Sequence, residues 1–134
     1  MNFEKKYKLI DCCIDINSDY NISRAIHHIL YNKYRYNGNI NKWEYFDDTK
    51  QKWQIDQNSQ LLKKDIEFKV CDEFLKRIDY WNNILKNDSN NVDLNNNCCV
   101  KINKLLKCSN KLKNKNYIIT IIKEARSLFE YEDK

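Results

Sequence analysis

Two adjacent histidines, His27 and His28, and six cysteines, Cys12, Cys13, Cys71, Cys98, Cys99 and Cys108, are the side chains best suited to nucleophilic, general-base or soft-metal chemistry. Nucleophilic catalysis needs a strained turn that presents the nucleophile. The chain has no G-x-S-x-G elbow and no glycine beside a candidate nucleophile. A structural zinc usually takes ligands two to four residues apart, so that one loop can wrap the ion. Here the cysteines include two adjacent pairs and no C-x-x-C, so no metal is expected. The acidic pairs Asp47-Asp48 and Asp72-Glu73 lack the third convergent carboxylate that two-metal phosphoryl transfer requires. Gly38 is the single glycine, and phosphate loops of the G-x-x-x-x-G-K or G-x-G-x-x-G kind need at least two. These residues therefore predict no catalytic site, no cofactor, no metal and no small-molecule substrate. The cysteines read as reduced, packed thiols, and the histidines as packing or surface residues.

Charge suggests a different chemistry. The net charge is +5, from 24 Lys+Arg against 19 Asp+Glu. From Asn95 to Lys123 there is no acidic residue, and lysines stand at 101, 104, 107, 111, 113, 115 and 123. Lys104, Lys107 and Lys111 fall at i, i+3 and i+7, so one helix face would carry them. With Lys113 and Lys115 they could neutralise phosphates without reading sequence. The lack of arginine there argues against bidentate base readout. A second cluster is Tyr31, Tyr34 and Tyr36 interleaved with Lys33 and Arg35. It offers stacking and phosphate contact, or a surface for a protein partner. The hairpin aromatics Trp43, Tyr45, Phe46 and Trp53 are read as buried anchors rather than a stacking platform.

These side chains need elements to hold them. Residues 1–17 show no clear period and read as an irregular segment. Ser18 offers an N-cap, and Ile22, Ala25, Ile26, Ile29 and Leu30 make one apolar stripe, predicting a helix over about 19–35 that ends at Asn37-Gly38. Trp43-Glu44-Tyr45-Phe46, the polar turn Asp47 to Gln51 and Trp53-Gln54-Ile55 predict an aromatic hairpin over about 42–56, with Trp43, Tyr45, Trp53 and Ile55 on one face. Ser59 is a second N-cap. Leu62, Ile66, Val70, Phe74, Ile78, Trp81 and Leu85 then predict a long helix over about 60–85, broken near Tyr80. Residues 87–97 are asparagine-rich and read as a flexible loop. Two further helices follow, joined by a lysine-rich connection from Ser109 to Asn116. The expectation is one α+β domain, mostly α. Four or five helices pack with the hairpin, and Trp43, Tyr45, Trp53, Ile66, Phe74 and Trp81 form the core. No run approaches the length of a membrane span, and no apolar run of signal-peptide length follows Met1 to Lys6, so membrane insertion and secretion are not expected.

The layout resembles a known family. Ser18-Asp19-Tyr20-Asn21-Ile22-Ser23-Arg24-Ala25-Ile26 leads to Trp43-Glu44-Tyr45-Phe46 and Trp53-Gln54-Ile55, then to Ser59-Gln60-Leu61-Leu62-Lys63-Lys64-Asp65-Ile66. Ile102 to Lys107 and Ile121 to Phe129 follow. Over about residues 17–130 this is similar to the domain preceding the superfamily 3 helicase in poxvirus-type and giant-virus primase–helicases. The family's W-Y-x-F stands here as Trp-Glu-Tyr-Phe, and neither a primase active site nor a helicase P-loop lies in these residues. The resemblance implies a non-catalytic module of DNA replication in a nucleocytoplasmic large DNA virus, working at a cytoplasmic replication site. It further implies that the module helps assemble or dock a helicase, associates with its own copies, and makes modest sequence-independent DNA contact. Any enzymatic activity would belong to a larger primase–helicase. The alternative is a protein-interaction or regulatory module with no nucleic-acid role.

Overall fold

A computed structural model describes residues 3–16, 18–87 and 90–131. Its architecture is α+β and mostly α, in the order α1 (Phe3–Asp15), α2 (Asp19–Leu30), β1 (Tyr34–Asn37), β2 (Lys42–Asp47), β3 (Lys52–Ile55), α3 (Gln60–Asp65), α4 (Cys71–Asn87), α5 (Val92–Lys111), α6 (Lys115–Phe129) and β4 (Glu130–Tyr131). The strands form one sheet, ordered β3-β2-β1-β4, with β1 and β4 parallel and the other pairs antiparallel. One core runs through all the helices and the inner face of the sheet.

The N-terminal stretch expected to be irregular is helical from residue 3 to 15; residues 1, 2 and 17 lie outside the described residues. Leu9, Ile10, Cys13 and Ile14 recur at helical spacing and are buried. The charges between them find partners on α4. Lys6 pairs with Glu73, and Asp11 accepts from Arg77 Nε and Nη2 at 3.0 and 2.6 Å. A polar-looking stretch thus becomes a helix because a neighbouring helix takes up its charges.

The Ser18 cap is present, its Oγ accepting from Asn21 N–H at 3.2 Å. The second expected cap, Ser59, is not used: its backbone is left-handed and its hydroxyl caps nothing. Asp56 replaces it, each carboxylate oxygen accepting one N–H, from Leu61 and from Leu62. The long helix shows no break near Tyr80; its irregularity is a π-helical turn at Ile66–Val70, between α3 and α4. The cause lies in the spacing. Leu62, Ile66, Val70, Phe74 and Ile78 are each four apart, and in a pure α-helix each such step over-rotates by about 40°. Five residues would then drift well round the helix. The wider π turn unwinds that drift, and all five are buried.

The asparagine-rich loop is largely helical. Asn91 caps α5, its side chain accepting from Leu94 N–H, so Asn95, Asn96 and Asn97 belong to that helix; residues 88 and 89 lie outside the described residues. The first predicted helix is shorter than expected. It ends at Leu30, and Tyr34-Arg35-Tyr36-Asn37 is strand β1. The alternation of buried Tyr34 and Tyr36 with half-exposed Arg35 has the period of two that favours a strand. Neither Asn37 nor Gly38 has positive φ; Asn41, in the turn to β2, does.

The hairpin forms where expected but in a different register. Its turn, 48–51, pairs Phe46 with Trp53 and Glu44 with Ile55. Trp43 and Tyr45 face the core, while Trp53 and Ile55 share the opposite face with Glu44 and Phe46. Trp53 is therefore not core. Its ring packs on Phe46 (5.4 Å) and under the Arg35 guanidinium (4.3 Å), and Ile55 is exposed. Trp43, Ile66 and Phe74 are buried as expected; Tyr45 and Trp81 are half-buried against the core.

Candidate nucleic-acid interface

The α5 lysines fall on one face of that helix. Lys104 and Lys107 are exposed, and Lys111 lies half-buried with its ammonium over the Tyr117 ring at 5.5 Å. Lys107 and Lys111 wall a wide, shallow groove of about 680 Å³ with Tyr117 and Thr120 of α6. Lys113 lies in the turn between α5 and α6. Lys115 opens α6 behind its cap Asn114 and lines a different depression, on the side of α6 that meets α3. The five lysines thus share one end of the molecule but not one groove.

The tyrosine cluster is not a surface. Tyr34 and Tyr36 are 1% and 4% exposed, because β1 turns both toward the core. The Tyr34 hydroxyl donates to Asp65 at 2.5 Å; burial, then that carboxylate, pushes its pKa well above the usual tyrosine value. Lys33 pairs with the same Asp65 (3.3 Å), and Arg35 with Glu44 (2.7 Å). Only Tyr31 remains exposed. Lys33 and Arg35 serve the fold, and of this cluster Tyr31 alone is placed to stack.

The structure assembles a cation set that sequence spacing did not reveal. Along α6, Lys115, Ile119, Lys123 and Arg126 fall on one side, at i, i+4, i+8 and i+11. That side meets α3 in a depression of about 420 Å³ walled by Gln60, Lys63, Lys64, Glu67, Lys115 and Ile119. Lys63 and Ile119 also wall a second depression of about 230 Å³, where Lys42, Lys123 and Arg126 join from β2 and α6. Six cations therefore line these two adjoining depressions, the α3–α6 groove: Lys42, Lys63, Lys64, Lys115, Lys123 and Arg126. None forms an ion pair among the described residues, and Lys63 alone is half-buried. Arg126 lies over the Tyr36 ring at 4.8 Å. Six cations elsewhere are ion-paired: Lys6, Lys33, Arg35, Lys69, Lys76 and Arg77. The signal in the sequence was the i, i+4, i+8 spacing of Lys115, Ile119 and Lys123. Lys42, Lys63 and Lys64 are far away in the chain, and only the fold brings them in.

The outer face of the sheet carries a closed network instead. The Arg35 guanidinium lies between the Tyr131 and Trp53 rings, 3.8 and 4.3 Å from their centroids. Glu44 accepts from Arg35 Nε and from Tyr131 Oη, both at 2.7 Å. Burial pushes the Glu44 carboxyl up, but hydrogen bonds from Tyr131, Arg35 and Asn37 outweigh it and hold it below the usual glutamate range. These aromatics hold their own arginine, not an incoming base.

The histidines lie on α2. His27 meets Phe129 edge-on at 4.8 Å, and burial, then His28 and Lys5, lower its pKa from 6.5. Cys13, Cys71, Cys98 and Cys108 are buried, with Cys13 and Cys108 in mutual contact; the hydrogen bond with Cys108, then burial, pushes the Cys13 thiol pKa up. Among the described residues no group of three or more His, Cys, Asp or Glu is placed to hold a metal ion. No helix among them is long and apolar enough to cross a membrane. No protein-family model matches the chain, and no curated protein matches it either.

Proposed function

We propose that this chain is a non-catalytic module of viral DNA replication. It holds the phosphate backbone of DNA in the α3–α6 groove, without reading sequence, and docks onto a helicase or onto further copies of itself. The observation that carries the DNA contact is the line of six cations, unpaired by any carboxylate among the described residues. Lysines held together without counter-charges repel one another, and a polyanion relieves that repulsion while releasing its own counterions. The assignment to replication rests on the resemblance of the α2, hairpin and α3 motifs to the primase–helicase middle domain. The α5 lysines Lys104, Lys107 and Lys111 flank the track and add long-range attraction.

Size-exclusion chromatography with light scattering tests this reading, using the purified chain with and without a short forked DNA at low and moderate salt. The expected result is a DNA complex at low salt that dissociates at moderate salt. Absence of any complex at low salt refutes the DNA contact. A second reading, protein docking alone, is favoured by one observation. Tyr20 and Tyr31, 56% and 53% exposed, flank a groove of about 350 Å³ with Arg24, His27, His28 and Leu128. Exposed aromatics beside an arginine are typical of protein hot spots. A helicase complex that forms equally at both salts and ignores DNA would favour that reading.

A further inference from the structure

Where the α3–α6 groove meets the sheet, residues of β1 and β2 join its lining. Trp43 of β2 forms part of the wall and is 5% exposed. Its indole Nε1–H is buried and has no hydrogen-bond partner among the described residues. A buried donor left unpaired costs about 1–3 kcal/mol. Four cations line the same depression: Lys42, Lys63, Lys123 and Arg126. The one carboxylate there, Asp56, is 4% exposed, and both its oxygens are already engaged by the Leu61 and Leu62 N–H groups. Among the described residues four non-glycine positions have left-handed backbone, and three of them, Asn41, Asn58 and Ser59, line this pocket.

We infer that this pocket binds a phosphomonoester, and that its source is the terminal phosphate of a nucleic-acid strand lying in the groove. A terminal phosphate carries about −1.5 to −2 at neutral pH, whereas each internal diester carries a single charge. Four cations around one pocket fit the former better. Arginine provides a fork for two of the phosphate oxygens, and the Trp43 ring in the wall lies close enough to report the bound ligand. The pocket stands on its own lining; only the source of the phosphate rests on the proposed DNA contact.

The test is an NMR titration of protein labelled with ¹⁵N at its three tryptophans. Trp43→Phe assigns the Trp43 indole signal; if that variant does not fold, Trp53→Phe and Trp81→Phe assign it by elimination. The probes are inorganic phosphate and one decanucleotide carrying either a 5′-phosphate or a 5′-hydroxyl. Phosphate should shift the Trp43 indole signal and leave those of Trp53 and Trp81 in place. The phosphorylated strand should bind about tenfold tighter than the hydroxyl strand, the worth of one charge-assisted hydrogen bond. Lys123→Gln, an exposed position, should bring that ratio close to one. A Trp43 signal unmoved by phosphate and by both strands overturns the site; if both strands still bind, the groove reading survives its failure. A shift with phosphate but no strand binding keeps the pocket and rejects the groove. A shift with phosphate and equal binding of the two strands assigns the pocket to a small phosphate ester and overturns the strand-end source.

Discussion

Replacing Lys63, Lys115 and Lys123 together by glutamine halves the cations of the α3–α6 groove, which number six. None of the three has an ion pair among the described residues, and Lys115 and Lys123 are exposed, so the fold should tolerate the change. Each neutralised phosphate of a single strand contributes about 0.7 to the slope of log affinity against log salt. Six contacts give a slope of about −4, and three give about −2. Between 50 and 200 mM salt the native protein should lose about 300-fold in affinity, and the triple variant about 20-fold. Fluorescence anisotropy with a labelled single strand at four or five salt concentrations measures both slopes. A parallel variant with Lys104, Lys107 and Lys111 changed to glutamine should keep nearly the native slope, because these residues lie outside the groove. Two results refute the reasoning. One is a groove variant as salt-sensitive as the native chain; the other is an α5 variant whose slope flattens more than that of the groove variant.

Asp11→Asn should destabilise the fold by about 2 kcal/mol, since it leaves the Arg77 guanidinium, 14% exposed, without its two-point carboxylate; the urea midpoint reports this. Trp53→Ala should lower stability by about 1–2 kcal/mol, because the ring is half-exposed, whereas buried Trp43→Ala should cost about 3–5 kcal/mol; the two midpoints should differ clearly. His27 has a folded pKa below its unfolded value of 6.5, so the unfolded chain takes up its proton first. Stability should therefore be lost as pH falls from about 6.5 through the folded value, and His27→Gln should flatten that part of the thermal-melt profile. Glu44 is depressed in the folded state, so its contribution is full above the unfolded value of 4.5 and is lost as pH falls through the folded pKa; Glu44→Gln should remove this acid limb.

The elements with an uninterrupted period of 3.6 were legible. Ile22, Ala25, Ile26 and Leu30 gave α2, and Ile118, Ile121, Ile122 and Ala125 gave α6, because one face of each helix meets the core directly. What escaped was decided by partners distant in the chain. α1 is helical because Glu73 and Arg77 take up its charges, and the cap of α3 is Asp56 rather than Ser59 because the preceding turn aims that carboxylate at the helix end. The two faces of the hairpin were exchanged because its turn, and not its composition, fixes which residues face each other. The basic character of the C-terminal third was visible, but the groove was not. Half of its cations, Lys42, Lys63 and Lys64, come from β2 and α3, outside the acid-free span that drew attention to Lys104 through Lys115.

The pairing of β4 with β1 sets an order of events in folding. β1, β2 and β3 follow one another through short turns and can zip together early. The Tyr131 hydroxyl must travel 94 positions along the chain to accept from Asn37 Nδ2, and a similar distance to donate to Glu44. Closing a loop of that length costs about 4 kcal/mol in chain entropy. On a ribosome the three-stranded sheet would therefore wait, with Arg35 stacked on Trp53 alone, until nearly all the helices had emerged and packed. The second ring over Arg35 then closes the sandwich as one of the final steps of maturation, so near-ultraviolet circular dichroism from that stack should develop after the helical signal during refolding.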